Sequence, residues 1–159
     1  MTDERTATAI HEAAHAVIAR RLGLVAGGAT IERDKDSAGH VEIADPHSIA
    51  WQWEQRGHYR DLRLAFRGRI IAYMAGAEAV RVLLGVEVDG DGDDRLQIEM
   101  MAQSRYSDLP GDLWERAEQR MRRQTRRLVR RHRLAIERVA AALVERGTVQ
   151  PEEIDDLAG

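Results

Sequence analysis

His11-Glu12-Ala13-Ala14-His15 has the residue types and spacing of H-E-x-x-H, a pattern suited to metal-assisted hydrolysis. On a helix, residues four apart lie about 40° apart in projection, one turn above the other, so both imidazoles reach a single ion. Glu12 sits beside such an ion, near enough to touch a water held there. A zinc ion held by three protein groups keeps a position open for water, whose pKa falls to about 7. Glu12 can take that water's proton as it attacks a carbonyl and pass it to the leaving amine. The blander alternative is a pair of helix histidines beside a first-turn charge. Two histidines at the border of an apolar stripe, however, are costly without a partner. His11 and His15 are therefore expected as Zn2+ ligands and Glu12 as the general base.

A third ligand must come from elsewhere. The longer pattern H-E-x-x-H-x-x-G-x-x-H fails, because position 18 is Ile18 and position 21 is Arg21. The chain has no cysteine, which rules out thiolate ligands and disulfides. Asp93 and Asp94 are the candidates, since they open a helix after the acidic loop Glu87 to Asp93.

The elements that must position these groups are mostly helical. Residues 3 to 22 read as a first helix, with Ala7, Ile10, Ala14, Val17 and Ile18 in one apolar stripe. Thr2 or Asp3 is its expected cap, and Gly23 its expected end. Gly27 and Gly28 mark a loop. Ala29 to Arg33 and Ala38 to Ile43 read as two short strands joined by the polar turn Asp34 to Ser37. Residues 44 to 58 give no clear pattern, and Trp51 and Trp53 within them are expected to pack. A long helix is predicted from Tyr59 to Leu84, ending at Gly85. Another starts near Asp94 and runs through Ala102. A long basic helix covers 112 to 146, closed by Gly147. Thr148 to Leu157 reads as a short terminal helix with Pro151 in its first turn.

Composition agrees with this. Seven of 159 residues are aromatic, so the core must be built from Ala, Leu, Val, Ile and Met, which favours helices over sheets. With 43% hydrophobic and 32% charged residues the chain reads as one soluble domain, 1–159. No apolar run approaches the ~20 residues of a membrane helix, and the acidic, polar start MTDERTATAI is not a signal peptide. A cytoplasmic location is expected, in keeping with the lack of cysteine.

Several segments together resemble, in order, the peptidase domain of the FtsH family of membrane-bound, ATP-dependent zinc proteases. HEAAHAVIA is similar to that family's HEAGHA-type motif. ATIERDKDSAGHVEI resembles its strand pair, AGAEAVRVLLG its Gly-Gly-Arg-Ala-Ala-Glu-Glu helix, and GDDRLQIEMMA the Asn-Asp-Leu segment that supplies the third zinc ligand. The stretch from Arg130 to Leu157 resembles the C-terminal helices. The likeness spans nearly the whole chain, although only the first motif is sharp. It implies a mainly α fold, a helical FtsH-peptidase-like domain with a small two-stranded β-ribbon. It also implies Asp94 as the third ligand, and Asp94 shares a helix face with Ile98, Met101 and Ala102. A peptide or unfolded protein is the implied substrate. It would add to the edge of the second strand at Gly39, His40 and Val41.

The chain departs from that family in two ways. Val80 and Arg81 replace the glutamate pair after Ala-Ala, with Glu78 at a different place. No G-x-x-x-x-G-K-[ST] is present, so the peptidase part is expected to stand alone, without ATPase module or membrane anchor. Large folded substrates would then need a separate ATPase or unfoldase. The resemblance implies hexamers, although a lone domain is compatible with a monomer.

Other signals carry less. Asp89-x-Asp91-x-Asp93 imitates a calcium loop, but its sixth position is Asp94 rather than Gly and its twelfth is Met100 rather than Glu. Ten arginines fall between Arg116 and Arg138. Glu115, Glu118 and Glu137 are interspersed, and Leu128, Leu134, Ile136 and Val139 give an apolar side, so a solvated face is expected rather than a nucleic-acid surface. His40, His47, His58 and His132 lack ligand spacing and read as surface or packing residues. The main alternative to an enzyme is a catalytically weak or inactive binding module of the same fold.

Overall fold

Five buried alanines, Ala9, Ala13, Ala14, Ala16 and Ala19, make the first helix thin enough to be packed on nearly all sides. A computed structural model describes residues 3–33, 39–58, 60–88, 92–106 and 110–159 of the chain. Helix α1 (Glu4–Arg21) is capped by Asp3, whose side chain accepts from the Thr6 amide. It lies against α3 (Leu62–Ala79) on one side and α6 (Arg133–Arg146) on another. The single apolar stripe expected for α1 is thus too narrow a description, because everything from Ala9 to Ala19 except His11 is buried. Ile18, at 0% exposure, contributes on the order of 2 kcal/mol by its burial alone.

The other helices are α2 (Pro46–Gln55), α4 (Gly92–Tyr106), α5 (Gly111–Arg131) and α7 (Pro151–Ala158). The mainly α fold is as expected. Helix α2 fills the stretch that gave no clear pattern. Asp45 caps it by accepting from the His47 and Ser48 amides, and Pro46 stands at its first position. Trp53 is buried and donates from Nε1 to the Gly23 carbonyl at 2.8 Å, whereas Trp51 is exposed, so only one of the two packs. Helix α3 continues as a π-helical turn, Val80–Leu84, and stops at Gly85, whose φ of +66° is reached without strain by glycine. The expected single basic helix is two. It breaks at His132 (φ −105°, ψ 20°), where the chain passes from α5, which packs on α3, to α6, which packs on α1.

The expected two-stranded ribbon is a three-stranded antiparallel sheet. Strands β1 (Ala26–Thr30), β2 (His40–Ile43) and β3 (Thr148–Val149) lie in the order β2-β1-β3, with Ala29 paired to both Val41 and Val149. β1 begins three residues earlier than expected and includes Gly27 and Gly28. A Cβ at Gly28 would stand 2.6 Å from the Val149 carbonyl oxygen, so a residue read as loop is there to let the strands approach. The turn Asp34 to Ser37 and Ala38 lie outside the described residues. β2 alternates, with His40 and Glu42 exposed and Val41 and Ile43 buried, and it forms one edge of the sheet. Among the described residues, no helix is long and apolar enough to cross a membrane.

Candidate metal centre

Three elements converge at one point. α1 supplies His11 and His15, one turn apart. α4 supplies Asp94 from its first turn, where the helix N-terminus favours a carboxylate. α3 passes beneath them at Gly76. Asp94 Oδ2 lies 2.8 Å from His11 Nε2 and 3.0 Å from His15 Nε2. One ligand atom from each of the three residues falls within 4.8 Å of the others. Asp93, the other candidate, is exposed. His15 is almost fully buried, and its Nδ1–H donates to the Ala72 carbonyl oxygen at 2.7 Å. That bond fixes Nδ1 as a donor and turns Nε2 toward Asp94, where it is the nitrogen available to an ion once deprotonated.

The floor of the site is built to leave room. A Cβ on Gly76 would stand 2.5 Å from His15 Nε2 and 2.6 Å from His11 Nε2. Glycine in mid-helix costs roughly 1 kcal/mol relative to alanine, so this position gives up helix stability for clearance at the two imidazole nitrogens. The donor set of two imidazoles and one carboxylate matches zinc in hydrolytic sites, where three protein groups leave one position open. The residues present fit a zinc ion.

The electrostatics follow from burial. Burial pushes the Glu12 carboxyl above the usual carboxylate range, while His15 and His11 pull it back. For His15, burial disfavours the charge, but the Asp94 carboxylate outweighs it and raises the imidazole to about 9. Burial also opposes ionisation of Asp94, yet the two imidazoles hold its pKa far below the ordinary value. The protonated His15 ring donates from Nε2–H to Asp94 Oδ2 at 3.0 Å.

Glu12 is buried next to the two histidines, and Gly39 closes over it. A Cβ at Gly39 would meet Glu12 Oε1 at 2.7 Å. His40 and Val41 follow on β2, with His40 exposed and the Val41 side chain turned into the core. Only the backbone edge of Val41 is therefore open to a peptide. Asp89 and Asp91 lie outside the described residues. Glu78 is in the core, away from the histidines, paired with Arg81, Arg122 and Arg126.

Three contributors escaped the sequence reading. Gly76 was visible as an isolated glycine inside a helical pattern, which signals close approach. The Ala72 carbonyl left no signal, because any residue supplies one. Tyr73 reads as a core residue of a long helix. In the structure its ring stands 6.0 Å from that of His15, and its hydroxyl accepts from Arg69.

No family model matches the chain, and no curated protein matches it. The likeness to the FtsH peptidase domain therefore rests on the motifs quoted from the sequence.

Proposed function

We propose that this chain is a zinc-dependent metallopeptidase of the FtsH-peptidase type, hydrolysing peptide bonds in short or unfolded polypeptides. The observation that carries the reading is the convergence of His11, His15 and Asp94 above Gly76, with a buried Glu12 alongside.

His11 Nε2, His15 Nε2 and Asp94 Oδ2 would hold the metal. Zinc, when bound, supplies Lewis acidity that polarises the peptide carbonyl and brings water within reach of neutral-pH deprotonation. Glu12 takes the proton from the attacking water on a carboxylate oxygen and hands it to the departing amine. The Ala72 carbonyl keeps the His15 ring in place during this. The free backbone edge of β2 at Val41, just after Gly39 and His40, aligns the substrate as an added strand. Folded substrates would need an ATPase or unfoldase to open them first.

The test is elemental analysis of purified protein together with cleavage of casein and of short peptides by wild type and Glu12→Gln. We expect about one zinc per chain in both, and a drop of about 10²- to 10⁴-fold in kcat for the variant. Bound zinc with no peptide hydrolysed would favour a binding module instead. Failure to bind zinc at all would end both the metal assignment and the enzyme.

A further inference from the structure

Beside the metal centre, the cleft between α2, α3 and α4 holds a cavity of about 490 Å³. Leu62, Phe66, Met100 and Met101 make apolar walls, and Arg69 stands among them. Among the described residues no carboxylate pairs with it, and its only charge-satisfying contact besides hydrogen bonds to neutral groups is the Tyr73 ring, 5.0 Å from its guanidinium carbon. Its Nη2 donates to the Ile43 carbonyl at 3.2 Å and to the Tyr73 hydroxyl at 3.3 Å, while Nη1 reaches only the Met101 thioether at 3.5 Å. Its buried Nε has no partner among the described residues. Two neighbouring carboxylates do not meet the need. Asp45 spends its oxygens on the His47 and Ser48 amides and the Ser48 hydroxyl. Glu42 is on the exposed face of β2.

Three elements run from the metal centre to this cavity. Gly76 and Arg69 are seven residues apart on α3, and Asp94 and Met101 are seven apart on α4. Each interval is two turns, about 10 Å. β2 is preceded by Gly39 against Glu12 and ends at Ile43 against Arg69. An extended peptide covers about 10 Å in three residues, so a chain lying at the metal and along β2 brings a nearby residue to the cavity.

We propose that this cavity takes a carboxylate-bearing residue of the bound peptide, recognised by Arg69 through charge-assisted hydrogen bonds. The proposal rests on the peptidase reading for its substrate. The apolar walls fit the methylene stem and the guanidinium fits the head. The carboxylate comes either from an acidic side chain or from the peptide's own C-terminus.

The experiment uses the zinc-loaded Glu12→Gln protein and fluorescently labelled peptides. In one series a single Glu moves through successive positions of an amidated peptide. A Gln series is its neutral counterpart, and a third series carries Gln and ends in a free carboxylate. Binding is read by anisotropy, and wild-type cleavage is read as kcat/KM on the same peptides. We expect one Glu position, or one length with a free C-terminus, to bind about tenfold or more tighter than its neutral partner. Which series shows it identifies the source of the carboxylate. Arg69→Gln removes the preference, with zinc content unchanged. Met100→Glu, an exposed residue at the cavity wall, also removes it without touching the partners of Arg69, and decides the matter if Arg69→Gln does not fold. Equal binding of acidic and neutral peptides overturns the proposal, as does a preference that survives both substitutions. If wild type cleaves neutral and acidic peptides alike, the cavity assignment fails and the peptidase stands. If acidic peptides bind selectively and none is cleaved, the reverse holds.

Discussion

Gly76 lies directly under His15: a Cβ there would come within 2.5 Å of the His15 Nε2 and almost as close to that of His11. Ala would be the better helix former by roughly 1 kcal/mol, so the glycine is explained by the space it leaves rather than by the helix it belongs to. Gly76→Ala must push both imidazoles off the point where they meet Asp94. We expect zinc affinity to fall by about 100-fold or more, at the upper end of what loss of a supporting group costs. The helix content by circular dichroism should stay the same. Zinc affinity measured by competition with a chromophoric chelator checks this, and an unchanged value would mean the site does not hold metal at those nitrogens.

The same site in its metal-free form should give the protein a stability that depends on pH in a particular direction. His15 is raised to about 9 from an unfolded value near 6.5, because Asp94 outweighs the opposing burial. Its contribution is fully present below about pH 6.5 and is lost as pH rises through about 9. Asp94 is lowered, so its contribution is present above its unfolded value near 4 and is lost in stronger acid. Chelated protein should therefore weaken between pH 6.5 and 9. A bound zinc would take the place of the His15 Nε2 proton, so zinc-loaded protein should not show that slope. Urea midpoints at three pH values, with and without chelator, are the measurement. Parallel curves would contradict the arrangement.

Gly39 offers a way to disturb the base without disturbing the metal. A Cβ at this position would meet Glu12 Oε1 at 2.7 Å and Cγ at 2.8 Å. The three atoms nearest to that Cβ all belong to Glu12. Gly39→Ala should leave zinc content unchanged and lower kcat by about 10²-fold, the usual penalty for moving a reacting group by about 1 Å. Steady-state kinetics beside elemental analysis separates the two effects. Loss of zinc in this variant would show that the loop before β2 supports the ligands and not only Glu12.

What could be read in advance was what is local. His11, Glu12 and His15 lie within five residues on one helix, so their spacing alone describes their geometry. The caps at Asp3 and Gly85 and the proline of α7 are local signals too. Asp94 is eighty residues away, and only the resemblance and a shared helix face singled it out from Asp93. Gly27 and Gly28 read as loop because their role in β1 depends on Val149, far along the chain. β3 has two residues, too few for any periodicity. His132 is no breaker by type, so the bend between α5 and α6 reflects which neighbour each packs against. The Arg69 cavity is the extreme case, since its walls come from α2, α3 and α4 and no one segment hints at it.

Glu78 shows how the helix that carries Gly76 and the Ala72 carbonyl is held in place. At 2% exposure it accepts from Arg122 and Arg126 of α5, both at 3.2 Å, and from Arg81 at 3.4 Å. A buried carboxylate with several cationic donors does little for stability compared with a well-packed apolar group, but breaking such a cluster from one side leaves charge uncompensated. Here the exposure is asymmetric. The arginine side chains are 18% to 37% exposed and can turn to solvent, whereas Glu78 cannot. Removing arginines should therefore hurt more than removing the acid. We expect Arg122→Met with Arg126→Met to cost about 3 kcal/mol or more, and Glu78→Gln with both arginines intact to cost about 1 to 2 kcal/mol. Combining all three should recover part of the loss, because the buried charge left with Arg81 as its one cationic partner among those three is gone. Denaturant unfolding of the double, single and triple variants tests this. A triple variant no more stable than the double would show that Glu78 is not stranded when its arginines are lost.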